Sequence, residues 1–458
     1  MTAGRTRHNS RDNATTQIKR KSIRHVTWPP LPANIVNHIF PTKGIPNNSI
    51  KSKSALDGNG LQNTLAPVRA SLEGFSPFVL GGLGAAYYIG FGLGCFFGPS
   101  LVWRAGHIRT FAAMVTIASA AALIHPLFVD PTVWQGMRFI TGICFAVLFM
   151  VIESWLNEKA TNETRGVVFS VYIVINLGMV SLGQLLVTLD DPKAFSLFAL
   201  ASILVSIAAV PLAMTKSEQP AAPANVRVRL LKLYKLSPVG VVGVLAVGLT
   251  NGPFWSLGPV FAEKAGGSAQ AAAIFMAIGA LAGAIGQWPL GRTSDKMDCR
   301  RVIIFACFGA VLGGVGAAVF GNTSETARLA SIFVFGAFAL PLYALSAAHM
   351  NDMVEQDGFV EAAGGLLLTF AIGAAIGPLL ASAAMSAWGQ SSLFLYTASI
   401  HVLLICFTVY RMTRNESAAE EDRGEFADAS VMAQTVATIE SIAEDDDEGP
   451  VPQEKPSV

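Results

Sequence analysis

The stretch Asn251–Ser268 reads NGPFWSLGPVFAEKAGGS, and the stretch 192 residues earlier, Asn59–Ser76, reads NGLQNTLAPVRASLEGFS. Eight of the eighteen positions are identical, including the pairs Asn59 with Asn251 and Gly60 with Gly252. Self-similarity at a fixed offset indicates repeated copies of one structural unit. The pattern therefore predicts a chain built from two parallel halves.

The composition is that of a membrane protein. The chain has 458 residues, of which 52% are apolar and 14% charged, and its mean hydropathy is +0.49. Soluble globular proteins carry roughly 25% charged residues. The N-terminal head, residues 1–55, is basic. It lacks the interleaved aromatic residues, the fold motifs and the metal-ligand spacing of nucleic-acid-binding modules. We therefore expect the head to lie near the lipid bilayer and to bind no nucleic acid.

Eleven apolar segments are each about long enough to cross a bilayer as a helix, which takes about 20 residues. They are approximately Pro77 to Leu101, Ile108 to Val129, Trp134 to Trp155, Val167 to Leu189, Phe195 to Met214, Val239 to Phe261, Ala271 to Leu290, Val302 to Phe320, Leu329 to Ala348, Gly365 to Ala387 and Leu393 to Tyr410. The sequence thus predicts an all-α membrane protein.

The repeat explains the odd number of spans. Asn251 lies in the middle of a span, so Asn59 belongs in the middle of a first helix that would make twelve. Before Asn59, however, Lys51, Lys53 and Asp57 stand at membrane depth, where a charge costs roughly 2.5 to 3.5 kcal/mol. We interpret the head as a diverged or non-native replacement for the start of that helix; a genuine amphipathic entry helix is the alternative.

The predicted organisation has five parts. These are a basic, disordered head (1–55), an N-terminal six-helix half (56–214), a linker (215–236), a C-terminal six-helix half (237–411) and an acidic, disordered tail (412–458). Alternate loops and the end of the last span carry the basic residues, which the positive-inside rule places in the cytoplasm. We therefore expect a multi-pass protein of the cell inner membrane whose C-terminus and linker are cytoplasmic.

The loop after the eighth helix of the twelve-helix plan reads Gly291-Arg-Thr-Ser-Asp295-Lys296-Met-Asp-Cys-Arg300-Arg301. Its spacing of glycine, acid and basic pair resembles the loop signature of the major facilitator superfamily, except that Asp298 stands where a second glycine is usual. The resemblance implies a bundle of two six-helix halves in which this loop is a gate. A loop that only satisfies the positive-inside rule is the alternative.

The corresponding loop of the first half is degenerate. It keeps Gly98, Arg104, Gly106 and Arg109 but has no aspartate. We predict that Glu361 supplies the missing charge to Arg104 or Arg109.

Two charges lie inside the fourth helix of the plan. Arg138 begins an Arg-x-x-x-Gly element that resembles one on the same helix of this superfamily, and Glu153 lies fifteen residues further. Charges within a span usually face a cavity or a partner. Arg138 is close enough to the helix start that snorkelling to the interface is the alternative, whereas Glu153 is interpreted as a gate partner or a proton carrier.

The run from Glu153 to Gly166, with LEGFS at Leu72 to Ser76 and AYY at Ala86 to Tyr88, resembles the bacterial YcaD-like branch of the superfamily, whose substrates are unassigned. Polar or aromatic residues within the spans are the candidates for lining a central cavity. They are Asn59, Asn251, Trp255, Asn176, Gln184 and Tyr343, together with Asn63, Tyr87, Tyr88, Tyr172, Gln287 and Thr369. A tie between two helices is the alternative for each of them.

The sequence has no phosphate-binding GxxxxGK[ST], HExxH or GxSxG motif, so we expect no enzyme activity, no cofactor and no metal. The expected function is secondary active or facilitative transport of a small solute by a monomer, and the resemblance implies a proton as the coupling ion. The alternative is a non-transporting or inactivated relative whose first helix is incomplete.

Overall fold

The computed structural model describes residues 53–159, 165–210, 229–354 and 358–414, of which residues 53–57, 157, 159, 165–171, 359 and 360 are described by their backbone alone. These ranges are helical, with short turns between the helices. The helices are α1 Lys53–Leu72, α2 Pro77–Ala105, α3 His107–Leu127, α4 Pro131–Lys159, α5 Arg165–Leu185, α6 Phe195–Ile207, α7 Leu230–Leu236, α8 Pro238–Gly266, α9 Ala269–Ser294, α10 Cys299–Phe320, α11 Glu325–Ala339, α12 Leu342–Asn351, α13 Phe359–Trp388 and α14 Ser392–Met412.

The all-α membrane prediction is confirmed. Within the described ranges, ten spans are long and apolar enough to cross a membrane, counting α11 and α12 together. The prediction of eleven was higher because the fifth segment is described only as the 13-residue apolar helix α6. The predicted end of that segment, residues 211–214, lies outside the described ranges.

Serine residues fix where two repeat-related helices begin. The Ser76 hydroxyl accepts a hydrogen bond from the Val79 N–H at the start of α2, and the Ser268 hydroxyl accepts one from the Ala271 N–H at the start of α9. A side-chain oxygen at this position satisfies one of the N–H groups that a helix leaves unpaired. Ser76 and Ser268 are the last pair of the eighteen-residue stretch, so this stretch ends on a shared cap.

The two halves of the described chain pack their helices in the same pairs. The pairs α1 with α5, α1 with α6 and α2 with α4 recur as α8 with α13, α8 with α14 and α9 with α11. A side chain at Gly60 would collide with the carbonyl oxygen of Val180, and one at Gly252 with that of Ala374. The matched glycines therefore let α1 and α8 approach α5 and α13 at backbone distance.

Helix α1 is formed from Lys53 onwards, and its residues from Gly58 to Ala70 are almost all buried. It packs on α5 and α6 in its own half and on α8 of the other half. Of the half-helix that the sequence predicts as damaged, residues 53–57 are described by their backbone, as the start of α1, whereas residues 1–52 lie outside the described ranges. The same holds for the acidic tail after Arg414.

The ninth predicted span, Leu329 to Ala348, is not one helix. It is divided into α11 and α12 by a turn at Leu340 and Pro341. Proline has no N–H to continue the helical ladder, and its ring clashes with the preceding turn. Hydrophobicity alone does not reveal this break, because both segments are equally apolar.

The halves meet along α2 with α13, α5 with α9 and α1 with α8. We call the end of the bundle where α1 and α8 finish the Ser71 end, and the opposite end, which holds the Asp295 loop, the basic end. At the Ser71 end, the hydroxyl of Ser71 donates a hydrogen bond to Glu263 at 3.2 Å. These residues are 192 positions apart, so the contact joins equivalent points of the repeat.

The outer surface of the bundle is apolar. Large side chains such as Phe96, Trp103, Trp288 and Trp388 are 67 to 80% exposed. An aqueous protein rarely exposes so much apolar surface, whereas hydrocarbon requires it.

Candidate functional site

A cavity of about 260 Å³ lies between the two halves. Both halves line it, through α1, α2, α4 and α5 on one side and α8, α9, α12 and α13 on the other. The lining residues are Asn59, Asn63, Tyr87, Tyr88, Phe91, Arg138, Phe149, Glu153, Asn176, Leu177, Val180, Asn251, Trp255, Ser256, Gln287, Leu340, Tyr343, Ala344, Leu367 and Phe370.

Two repeat-related asparagines line this cavity from opposite halves. Asn59 and Asn251 are both buried, and the side-chain oxygen of Asn251 has no hydrogen-bond partner. One turn further along α1, Asn63 donates a hydrogen bond to the side-chain oxygen of Asn59 at 3.2 Å. A buried carbonyl oxygen without a partner costs free energy, so Asn251 is poised to accept a hydrogen bond from a ligand or a water molecule.

Arg138 lies seven residues into α4 and is 5% exposed. One guanidinium nitrogen, Nη2, donates to the side-chain oxygen of Asn63 at 3.1 Å, and the guanidinium carbon lies 4.4 Å from the centre of the Tyr87 ring. Such a cation–π contact fixes the plane of the guanidinium group. The structure thus overturns the snorkelling alternative, because the side chain turns into the cavity.

Glu153 lies in the same helix, fifteen residues closer to the basic end, and its side chain is fully buried. Tyr172 and Tyr343 interact with its carboxylate electrostatically, and Tyr172 also interacts with Asn176. The cavity therefore holds a cationic group toward one end and an acidic group surrounded by tyrosines toward the other.

The wall at the Ser71 end is made by close contact between the halves. A Cβ atom at Gly84 would lie 2.5 Å from the side chain of Ser256, and one at Gly81 would lie 2.6 Å from the carbonyl oxygen of Pro378. The cavity-lining residues of α2 and α13, such as Tyr88 and Phe370, lie on the basic-end side of this contact. The cavity is thus displaced from the Ser71 end toward the basic end.

The structure brings most of the predicted cavity residues together. Asn59, Asn251, Trp255, Asn176 and Tyr343 all line the cavity, as do Asn63, Tyr87, Tyr88 and Gln287. Gln184 does not line it, although its amide is fully buried. It lies one turn beyond Val180, toward the Ser71 end, where α5 packs on α1. Tyr172 and Thr369 also lie outside the lining, and the Thr369 hydroxyl donates to the Gly365 carbonyl of its own helix.

Several lining residues were not predicted. Phe91, Phe149, Leu367 and Phe370 are apolar residues within apolar spans, and nothing in their sequence context separates them from lipid-facing neighbours. Ser256 is the polar residue that was missed. Its hydroxyl group within an apolar span, the same criterion that singled out Asn251, was the signal that could have found it.

The predicted gating loop divides into an exposed and a buried part. Asp295, Lys296 and Arg301 are exposed, and Gly291 is buried. Arg300 is also buried, and it forms an ion pair with Asp298 at 2.7 Å. The Asp298 carboxylate also accepts a hydrogen bond from the Arg300 N–H and caps α10.

Asp298 has a pKa below its ordinary value. Burial raises the pKa of this carboxyl, but the hydrogen bonds from the side chain and backbone of Arg300, with the charge of Arg300, outweigh that effect. The residue that stands where the superfamily has glycine is thus a charged helix cap.

The loop of the first half places Gly98 against the Met150 side chain of α4, and Gly106 has a positive φ of 78°. Arg104 and Arg109 are exposed. The prediction that Glu361 pairs with either of them is wrong. Its carboxylate accepts hydrogen bonds from Arg229 at 2.9 and 3.0 Å, and from Lys232 at 3.4 Å. Glu361 pairs with these linker residues because α7 packs beside the start of α13.

Comparisons with known proteins agree with this architecture. The sequence model of the Major Facilitator Superfamily matches residues 54–339. An uncharacterized MFS-type transporter, YcaD, of Escherichia fergusonii is 26% identical over 345 residues, which is 75% of this chain and 89% of that protein. A similar uncharacterized transporter of Enterobacter sp. (strain 638), Ent638_1421, is 27% identical over 340 residues, covering 74% and 88%.

Solved structures share the fold at low sequence identity. The nucleoside transporter NupG superimposes with a TM-score of 0.64 at 13% identity, covering 81% of this chain and 100% of the other. A bacterial homologue of the human lysosomal transporter Spinster, in an inward-facing and occupied conformation, has a TM-score of 0.65 at 14% identity, covering 86% and 98%. The chain therefore belongs to the major facilitator superfamily, in its YcaD-like branch.

Proposed function

We propose that the protein carries a small solute across the cytoplasmic membrane by alternating access, with the cavity between the halves as its binding site. The observation that carries this proposal is the origin of the lining, since repeat-related Asn59 and Asn251 come from opposite halves. A site at the interface of two repeats can face either side of the membrane when the halves rock about it. The basic end is the predicted cytoplasmic side, so the structure fits a state with the cavity displaced toward the cytoplasm.

The direct test measures uptake and efflux of a panel of carboxylates, sugars, amines and nucleosides in proteoliposomes. The Ser71→Cys/Glu263→Cys double variant, on a chain whose five native cysteines are replaced and joined through disulfide bonds by a short bifunctional methanethiosulfonate, would hold the Ser71 end shut. We expect transport by this variant to stop on cross-linking and to resume on reduction, whereas each single variant is unaffected. Transport that continues unchanged through the cross-linked protein would contradict alternating access.

We further propose that Glu153 carries the coupling proton. Its burial beside Tyr172 and Tyr343 favours a carboxyl that changes its protonation state with the conformation of the bundle. Glu153→Gln should abolish the response of transport to a pH gradient while solute exchange in the absence of a gradient persists. Glu158→Gln, at an exposed position five residues further along α4, is the matched control and should keep the response. A pH-gradient response that survives in Glu153→Gln rules out this role.

A further inference from the structure

Arg138 brings a positive charge into the cavity that no carboxylate of the described chain neutralises. The ion pairs in these ranges involve Arg69, Arg229, Lys232 and Arg300, each on another part of the bundle. The contacts of Arg138 itself are neutral, namely the Asn63 amide and the Tyr87 ring. A buried guanidinium without a counter-charge is costly, and a bound anion would remove that cost.

The guanidinium group of Arg138 can also donate a further hydrogen bond. Its second terminal nitrogen, Nη1, is buried and has no partner, while Nη2 is held by Asn63. The planar fork of arginine matches the two oxygens of a carboxylate. Because Asn63 and Tyr87 hold the fork in place, little conformational entropy remains to be lost when an anion binds.

The second charged group of the cavity is too far away to serve a compact zwitterion. Fifteen residues of helix separate Arg138 from Glu153, which is about 22 Å along the axis. Both side chains lean toward the N-terminus of this helix, so the lean does not close the distance between them. The ammonium and carboxylate of an α-amino acid cannot reach both, and a ligand held by Arg138 is matched best by a net negative charge.

The remaining walls suit a small planar body. Tyr88 and Phe91 pack against the Tyr87 ring that lies on Arg138, and Phe370 packs against Tyr88. Trp255 also lines the cavity, which holds about 260 Å³. A dry cavity of about 150 Å³ admits benzene, and drug-sized ligands need about 300 Å³ or more. The space therefore fits one aromatic ring with a short acidic substituent.

We propose that the cavity binds a small organic monocarboxylate, with its carboxylate on Arg138 and its planar body between the aromatic side chains. This assignment names the substrate class of the proposed transport site and rests on that function.

Binding is tested on the purified full-length chain in detergent, through the fluorescence of Trp255 and the thermal unfolding temperature. The probes are benzoate and phenylacetate, with benzamide and phenylacetamide as neutral counterparts of the same shape and sodium sulfate as an inorganic anion. We expect the carboxylates to bind about ten- to a hundredfold more tightly than the amides. Trp255→Phe should lose the fluorescence signal, which assigns it to the cavity.

Variants of the anion site separate charge from structure. The Arg138→Gln variant should bind benzoate no more tightly than benzamide. The Arg138→Lys variant should keep part of the preference for the carboxylate. Asn63→Asp supplies an internal counter-charge, so it should raise the unfolding temperature of the empty protein and abolish benzoate binding. Arg328→Gln is the matched control, because this equally buried arginine lies off the cavity and donates to the carbonyl oxygens of Ala265 and Gly321. It should lower stability and leave benzoate affinity unchanged.

Equal affinity for benzoate and benzamide, or full benzoate binding by Asn63→Asp, would overturn the assignment. Sulfate binding as tight as benzoate binding would also overturn it, because the site would then recognise charge without an organic body. Since these measurements need no transport, carboxylate binding without any uptake in proteoliposomes would refute the proposed function and leave the anion site standing. Uptake of neutral solutes alone, without carboxylate binding, would do the reverse.

Discussion

Two arginines of the bundle, Arg138 and Arg328, are equally buried but have different surroundings. Arg328 gives one terminal nitrogen to the carbonyl oxygens of Ala265 and Gly321, at 3.3 and 3.1 Å, and so ties α11 to the ends of two neighbouring helices. Arg138 has the same burial, and each of the two arginines keeps one buried nitrogen without a partner, but only Arg138 lines the cavity. The two residues therefore do not differ in burial. They differ in the groups that accept their hydrogen bonds, which are backbone carbonyl oxygens for Arg328 and the Asn63 side chain for Arg138.

The ion pair between Asp298 and Arg300 predicts how the Asp295 loop responds to pH. The folded state lowers the pKa of Asp298, so the pair stabilises the fold fully above the unfolded pKa of about 3.9 and loses this effect as the pH falls through the lower folded value. Asp298→Asn should therefore lower the unfolding temperature by a constant amount between about pH 5 and pH 8.

The difference in unfolding temperature between the Asp298→Asn variant and the unchanged protein should shrink only below about pH 4. Thermal unfolding in detergent at each pH measures it. Asp295→Asn is a matched control, because Asp295 is exposed in the same loop. A difference that disappears across the neutral range would show that the folded pKa of Asp298 is raised, contrary to the structure.

The polar residues of the cavity could be predicted from the sequence because a polar side chain that faces hydrocarbon costs free energy. The repeat then singled out Asn59 and Asn251 among them. The aromatic residues Phe91 and Phe370 could not, because an apolar side chain is equally suited to lipid and to a cavity wall. Gln184 is the opposite case, because it was predicted to line the cavity and does not. A polar residue within a span can be buried between helices, and only the packing of α5 on α1 determines this.

At the scale of helices, the Arg-x-x-x-Gly element joins a cavity-lining residue, Arg138, to a packing residue, Gly142. A side chain at Gly142 would collide with the carbonyl oxygen of Tyr87, and one at Gly90 with that of Phe139. The two glycines bring α2 and α4 to backbone contact, which holds the Tyr87 ring beside Arg138. The sequence predicted the helices, but it did not predict this contact or the break between α11 and α12.

Gly142→Ala should destabilise the protein by about 1 to 3 kcal/mol, because the added methyl group forces the two backbones apart. Gly136→Ala in the same helix is the matched control, since a Cβ atom there would meet nothing within 4 Å. Its expected effect is neutral or slightly stabilising, because alanine favours helix more than glycine does. Thermal unfolding in detergent compares the two, and equal stability of both variants would show that α2 and α4 do not pack so closely.

At the scale of the whole molecule, the repeat made the architecture predictable. A similarity of eighteen residues at an offset of 192 implied two halves, and the same helix pairs recur in each half of the described chain. The partner of Glu361 could not be predicted in this way. Arg229 and Lys232 belong to the linker, which has no counterpart in the repeat, so the repeat carried no information about where α7 would dock.

The proposed transport cycle requires that the two halves open and close about the cavity, and the contact between Ser71 and Glu263 at the Ser71 end reports this motion. Spin labels at Ser71→Cys and Glu263→Cys, on a chain whose five native cysteines are replaced, give the distance distribution by pulsed electron paramagnetic resonance in proteoliposomes. We predict a short-distance population, as expected from the 3.2 Å contact, and a longer one that gains weight as pH or substrate shifts the equilibrium. A single short distance under every condition would contradict alternating access by this protein.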